Sequence, residues 1–145
     1  DWTPESTEAL SKVYNEHITC SHMDELRLRK ENHCPFVEKQ QVFVRWDGSV
    51  CPCMALLHDS KVYLNTIERH LKFKSFGDVH EKTLAEIWYG EEYTAFRQKV
   101  REFSFSPCVT CGACELLENN EEDCFGNEFP TCGGCLWAQG LVQCP

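Results

Sequence analysis

Cys108, Cys111, Cys114, Cys124, Cys132, Cys135 and Cys144 crowd into the last quarter of this chain, in a stretch that holds no lysine or arginine. So many thiols in one short segment constrain the fold more than any apolar pattern does. The first three form a C-x2-C-x2-C run, the opening of a bacterial ferredoxin-type cluster motif, and Cys144 is followed by Pro145, as the closing cysteine of such a motif is. Thiolates at that spacing can converge on one face of an iron-sulfur cube. Gly112, Gly126, Gly133, Gly134 and Gly140 are expected to supply the positive-φ freedom that a backbone needs to curl around a large inorganic centre.

Two other uses of the sulfur compete. A zinc ribbon needs C-x2-C, a spacer of about 15–20 residues and a second C-x2-C, which Cys108/Cys111 and Cys132/Cys135 satisfy. It would leave Cys114, Cys124 and Cys144 idle in the same loop, whereas two clusters of four thiolates each use most of the set. Disulfides fit less well. Eleven cysteines cannot all pair within one chain, no Asn-x-Ser/Thr acceptor is present, and no secretory leader is seen. A reducing, cytoplasmic setting is the expectation.

At 145 residues and 42% hydrophobic, the chain is expected to bury about 68–70% of its unfolded surface without help from metal. The cysteines are therefore there for chemistry, or to organise one irregular region. A net charge of −9, a pI near 5.1 and the lack of a basic stripe argue against nucleic acid as a partner. No apolar run approaches the roughly 18 residues of a membrane span, so no membrane partner is expected. The chain starts at Asp1, which points to a piece of a larger protein.

Thr3-Pro4-Glu5 reads as a helix start, with Leu10, Val13, Tyr14 and Ile18 forming one apolar face. Cys20, His22 and His33 follow around a Glu25–Arg29 linker or short strand, and His17, His22 and His33 are expected at the surface or in hydrogen bonds. Val42-Phe43-Val44-Arg45-Trp46, the two-residue turn signal Asp47-Gly48, and Ser49-Val50-Cys51 predict a β-hairpin. With Cys34 just upstream and Cys53 just after, it can bring two distant thiols together at one end. Lys61–Leu64 reads as another strand. Thr83-Leu84-Ala85-Glu86 is a capping box opening a short helix with Leu84, Ile87 and Trp88 inward, which Gly90 stops. A second helix over Glu91–Glu102 carries Tyr93, Phe96 and Val100 on one stripe, read as core. Glu121-Glu122-Asp123 is expected to be a solvated loop.

The order of these features resembles the SPASM domain of radical S-adenosylmethionine enzymes. Cys34, Gly48 and Cys53 come first, then the Leu84-Ala85-Glu86-Ile87-Trp88 helix and Phe96-Arg97, then C-x2-C, then Gly133-Gly134-Cys135 and a terminal cysteine. Within that superfamily, Asp123-Cys124-Phe125-Gly126-Asn127 and the run from Phe129 to Gly140 are similar to maturases associated with tungsten-cofactor oxidoreductases. The resemblance implies an α+β fold over residues 34–145. It would be a small metal-organised domain with an antiparallel β-hairpin, two or three helices and a loop-rich, Cys-rich C-terminal half. Residues 1–33 would be a helix and linker from the preceding radical domain.

It also implies two auxiliary [4Fe-4S] clusters. By family order Cys34, Cys53 and Cys135 serve the first and Cys108, Cys111 and Cys144 the second, with Cys114, Cys124 and Cys132 competing for the remaining places; Cys20 and Cys51 are the expected non-ligands. This chain departs from the pattern in lacking a cysteine a few residues before Cys34, and in placing Cys132 only three positions ahead of Cys135. The C-x3-C-x2-C run that binds the S-adenosylmethionine cluster is absent here, so that cofactor would belong to an N-terminal radical domain, the first implied partner. A tungsten-dependent oxidoreductase and a ferredoxin are the others. Seven acids and no basic residue from Glu102 onward predict low cluster potentials, provided the acids lie near the metal.

Overall fold

The computed structural model of the chain describes Pro4, Glu5, Glu8, residues 33–64, 67–108 and 114–140, and Val142. Packing divides the chain into Asp1–Lys30 and Glu31–Pro145. In the first unit Pro4, Glu5 and Glu8 are helical. The rest of the helix predicted there, the Glu25–Arg29 stretch, His17, Cys20 and His22 lie outside the described residues, as do Cys111, Gly112 and Cys144 of the second unit.

The second unit is α+β. In chain order it runs α1 (Pro35–Glu38), β1 (Phe43–Val44), β2 (Val50–Cys51), β3 (Ser60–Leu64), β4 (Ile67–Leu71), α2 (Leu84–Trp88) and α3 (Glu91–Glu102), with 3₁₀ turns at Met54–Leu56 and Glu115–Glu118. The strands form two separate antiparallel pairs, β1 with β2 and β3 with β4.

The first hairpin forms where the sequence predicts it, but its turn is longer. Phe43 pairs with Cys51 and Val44 with Val50, and the Arg45 amide bonds the Ser49 carbonyl, so Trp46, Asp47 and Gly48 are all loop. Gly48 sits at φ +89°, the left-handed residue that closes a three-residue loop after a type I turn. The Asp47 carboxylate secures the return by accepting the Ser49 amide at 3.1 Å. A side chain at Gly48 would also collide with His80 and Asp78.

Lys61–Leu64 is a strand, as expected, extended to Ser60. Its partner β4 escaped sequence reading, because the inward position that ought to be apolar is Arg69, only 1% exposed. The Thr83 hydroxyl and the Glu86 carboxylate complete both halves of the capping box of α2. Ile87 is buried and Trp88 packs on the core, but Leu84 stays 42% exposed, since a helix of five residues turns only one short face inward. Gly90 both follows α2, its amide bonding the Ile87 carbonyl, and caps the start of α3.

α3 buries Tyr93, Phe96 and Val100 as its periodicity predicts, and Arg97 with them. The Arg97 guanidinium lies 4.0 Å from the centre of the Trp88 ring and 4.6 Å from that of Tyr93, a cation-π arrangement that offsets part of its desolvation. Tyr93, Phe96 and Val100 join Val37, Val50, Ile87 and Phe105 in the main core. A smaller cluster of Phe36, Cys53 and Leu56 holds Trp137 and Phe43 against it. Cys34 packs on both clusters, so the two cores meet at a thiol.

Candidate metal centre

Local backbone geometry places the cysteines first. Cys34 is the residue before α1, whose Pro35 suits the first helical position, and Cys53 is the residue before the Met54–Leu56 turn. Cys135 opens a run of turns in which the Gln139 amide bonds its carbonyl. Each sulfur therefore faces the free amides at the start of a helical turn, a setting that favours a thiolate. Neither Cys34 nor Cys53 makes a full capping hydrogen bond. The electrostatic effect of the amides is nonetheless present, from Val37 and Phe36 on Cys34, Leu56 and Ala55 on Cys53, and Ala138 and Trp137 on Cys135.

The hairpin and the tail then meet. Cys53, Cys132 and Cys135 line a cavity of about 320 Å³ whose wall also includes Arg69, Thr131 and Trp137. Cys34 lies beside this group, since it packs on the cluster that contains Cys53 and, like Cys132, on the main core. Burial pushes Cys34 up to about 11, and it pushes Cys53 and Cys132 well above the ordinary thiol range, the neighbouring thiols adding to the effect. Burial also raises Cys135, while the nearby amides and Arg69 restrain the rise. Four thiols, Cys53 buried and the other three half-buried, would share their charge with a cation bound among them.

A second group lies along the 3₁₀ turn at Glu115–Glu118. Cys108, Cys114 and Cys124 line a cavity of about 250 Å³ with Leu116, Leu117 and Phe125. Unlike the first group, Cys114 and Cys124 are exposed. The Cys108 sulfur lies 3.0 Å from the Ser106 hydroxyl, and Ser106 is fixed by Asp123, whose carboxylate accepts the Ser106, Phe125 and Asn127 amides at 3.0 Å each. The solvated loop expected at Glu121-Glu122-Asp123 is thus only partly that. Asp123 is 2% exposed, and although burial alone would raise its pKa, these hydrogen bonds hold it below the usual carboxylate value.

Of the sequence-predicted ligands, Cys34, Cys53, Cys132 and Cys135 are brought together, Cys108, Cys114 and Cys124 form a second set, and Cys111 and Cys144 lie outside the described residues. The four thiols of a zinc ribbon are not gathered round one cavity, since Cys108 lines the second and Cys132 and Cys135 the first. Among the described residues, no three His, Cys, Asp or Glu side chains are placed to hold a single ion. Cys51, fully buried, points its sulfur back to the Ser49 carbonyl at 3.9 Å and lines neither cavity. His33 faces Glu38 at 3.5 Å. Two glycines, Gly126 at φ +77° and Gly140 at φ +73°, meet the positive-φ expectation. Gly133 serves close approach instead, because a Cβ there would overlap the Ser106 carbonyl.

Sequence reading missed Arg69 as a member of the site. Its Nε donates to the Asn119 carbonyl at 3.0 Å and its Nη2 reaches the Thr131 hydroxyl at 3.5 Å, while Nη1 is buried with no hydrogen-bond partner. An alternating strand with arginine at an inward position is the only sequence signal for it.

Residues 34–115 match the SPASM family, described as an iron-sulfur cluster-binding domain. The chain is 40% identical over 121 residues to a tungsten-containing aldehyde ferredoxin oxidoreductase cofactor-modifying protein of Pyrococcus furiosus. The similarity covers 81% of this chain and 34% of that protein, so the chain spans about a third of the length of the relative it matches. No solved structure matches. No described helix is long and apolar enough to cross a membrane.

Proposed function

This chain belongs to the SPASM family of iron-sulfur cluster-binding domains, and from that premise we propose that it is the auxiliary-cluster domain of a radical S-adenosylmethionine maturase. It holds two [4Fe-4S] clusters, passes electrons and positions a partner beside the radical site. The relative's name supports maturation of a tungsten-dependent oxidoreductase as the setting, in the cytoplasm and with a ferredoxin as electron partner.

The observation that carries the reading is the meeting of Cys53, from the hairpin end and with Cys34 packed beside it, with Cys132 and Cys135, from the tail, around one cavity. The donor set fits the group: three thiols line one cavity, Cys34 packs beside Cys53, and an orphaned guanidinium nitrogen belongs to a residue of the wall. Bound there, a [4Fe-4S] cluster supplies one-electron transfer. The protein's part is to orient and insulate. Phe36 packs edge-on against Trp137 with ring centres 5.4 Å apart, keeping water from the first group, and the turn amides at Cys34, Cys53 and Cys135 favour thiolates. Cys108, Cys114 and Cys124, with Cys111 or Cys144 as the fourth donor, hold the second cluster at the surface, where electrons enter.

The test is metal analysis of the complete gene product purified without oxygen. Two clusters predict iron and sulfide in equal amounts beyond those of the radical site, with brown absorption that dithionite bleaches. A colourless protein with stoichiometric zinc, unchanged after reconstitution with iron and sulfide, would overturn the reading.

A further inference from the structure

The seven acids from Glu102 onward led the sequence to predict a negative field at the metal. The structure distributes charge differently. Glu102, Glu115, Glu118, Glu121, Glu122 and Glu128 are exposed, where water screens them, and the seventh, Asp123, is bound by backbone amides beside the second thiol group. Arg69, by contrast, is 1% exposed and lines the first thiol cavity. Two of its nitrogens are engaged by the backbone at Asn119, between Cys114 and Cys124 of the second thiol group, and by Thr131, beside Cys132. The third is free and buried. An orphaned buried N–H carries an uncompensated desolvation penalty, and in the wall of a thiol cavity a bound acceptor would relieve it.

We propose that Arg69 is the internal counter-ion of the first cluster, donating its free Nη1–H toward the cluster's sulfur and raising the potential at which that cluster accepts an electron. This inference rests on the iron-sulfur reading of the site. A buried fixed cation stabilises the more negative, reduced state, and a hydrogen bond to sulfur acts in the same direction. The guanidinium, in the wall of the first cavity, is tied by backbone at Asn119 to the segment between Cys114 and Cys124 of the second group. Arg69 is a positioning and tuning residue: it ligates nothing.

Redox titration of the anaerobic full-length protein, followed by electron paramagnetic resonance with iron counted in each sample, tests this. Arg69→Met should keep its iron and make reduction of the first cluster at least about tenfold less favourable, about 59 mV lower for a one-electron couple. Arg69→Lys, which keeps the charge, should fall between Met and wild type. Iron-replete Arg69→Met titrating with wild type would overturn the inference while leaving the cluster reading intact. Should Arg69→Met fail to fold, pulsed resonance on wild type grown with 15N-arginine decides. A 15N coupling to the reduced first cluster, lost in Arg69→Lys, supports the inference, and its absence in wild type overturns it. Wild-type protein without iron at this site would overturn both, and iron content alone reveals that case.

Discussion

Gly133 stands where no side chain fits, because a Cβ there runs into the Ser106 carbonyl, and Cys132 and Cys135 flank that contact. Gly133→Ala should cost about 1–3 kcal/mol, the usual penalty of overpacking, and should lower iron occupancy as well, seen in urea unfolding of the metal-free domain and in iron counts. Asp123 is the matching point on the other side. Its carboxylate satisfies three backbone amides and the Asn127 side chain, so Asp123→Ala should destabilise by about 3 kcal/mol. Cys51 provides the contrast, since its sulfur faces Ser49 rather than a cavity. Cys51→Ser should keep full iron, while Cys132→Ser should lose that of the first site. At this scale the sequence showed which residue types matter better than what they touch. The cysteines were conspicuous, but burial of Arg69 and Asp123 depends on segments that meet across about fifty and seventeen positions of chain, which no local pattern encodes.

The elements were legible where periodicity and capping chemistry are local. α3 has the predicted bounds, and the Thr83/Glu86 box forms in full. Hydrogen bonds from the Thr83 hydroxyl and amide hold the Glu86 carboxyl below the usual value. A carboxylate depressed in the folded state adds stability above its unfolded pKa of about 4.3, and that contribution disappears as pH falls through the folded value. Thr83→Ala should therefore lower the urea midpoint at pH 7 and less so at pH 3. An equal loss at both would show that the carboxylate half of the box contributes nothing. What was not legible follows from breaks in local rules. β4 carries a charge on its inward face, and the hairpin turn takes three residues because Gly48 closes it as a left-handed third residue rather than pairing with Asp47 in a two-residue turn.

Across the whole second unit, the thiols join parts of the chain that hydrogen bonds alone connect sparsely. Among the described residues, two short strand pairs and three helices leave residues 114–140 tied to the rest by Asp123, by the Asn120 side chain on the Lys72 backbone, by Arg69 on Asn119, by Asn127 on Ser104 and by a bridge from Asn119 to His70. Metal removal should accordingly loosen the hairpin and the tail together, with amides near Cys34, Cys53 and Cys135 losing protection from hydrogen exchange in step while α3 keeps its own. The most direct measurement of the shared site is the iron count of four single variants of the full-length protein, Cys34→Ser, Cys53→Ser, Cys132→Ser and Cys135→Ser. Each should lose the same cluster, about four irons, and leave the resonance of the others unchanged. Variants of the hairpin pair and of the tail pair that removed different clusters, or none, would contradict a centre closed from both ends of the domain.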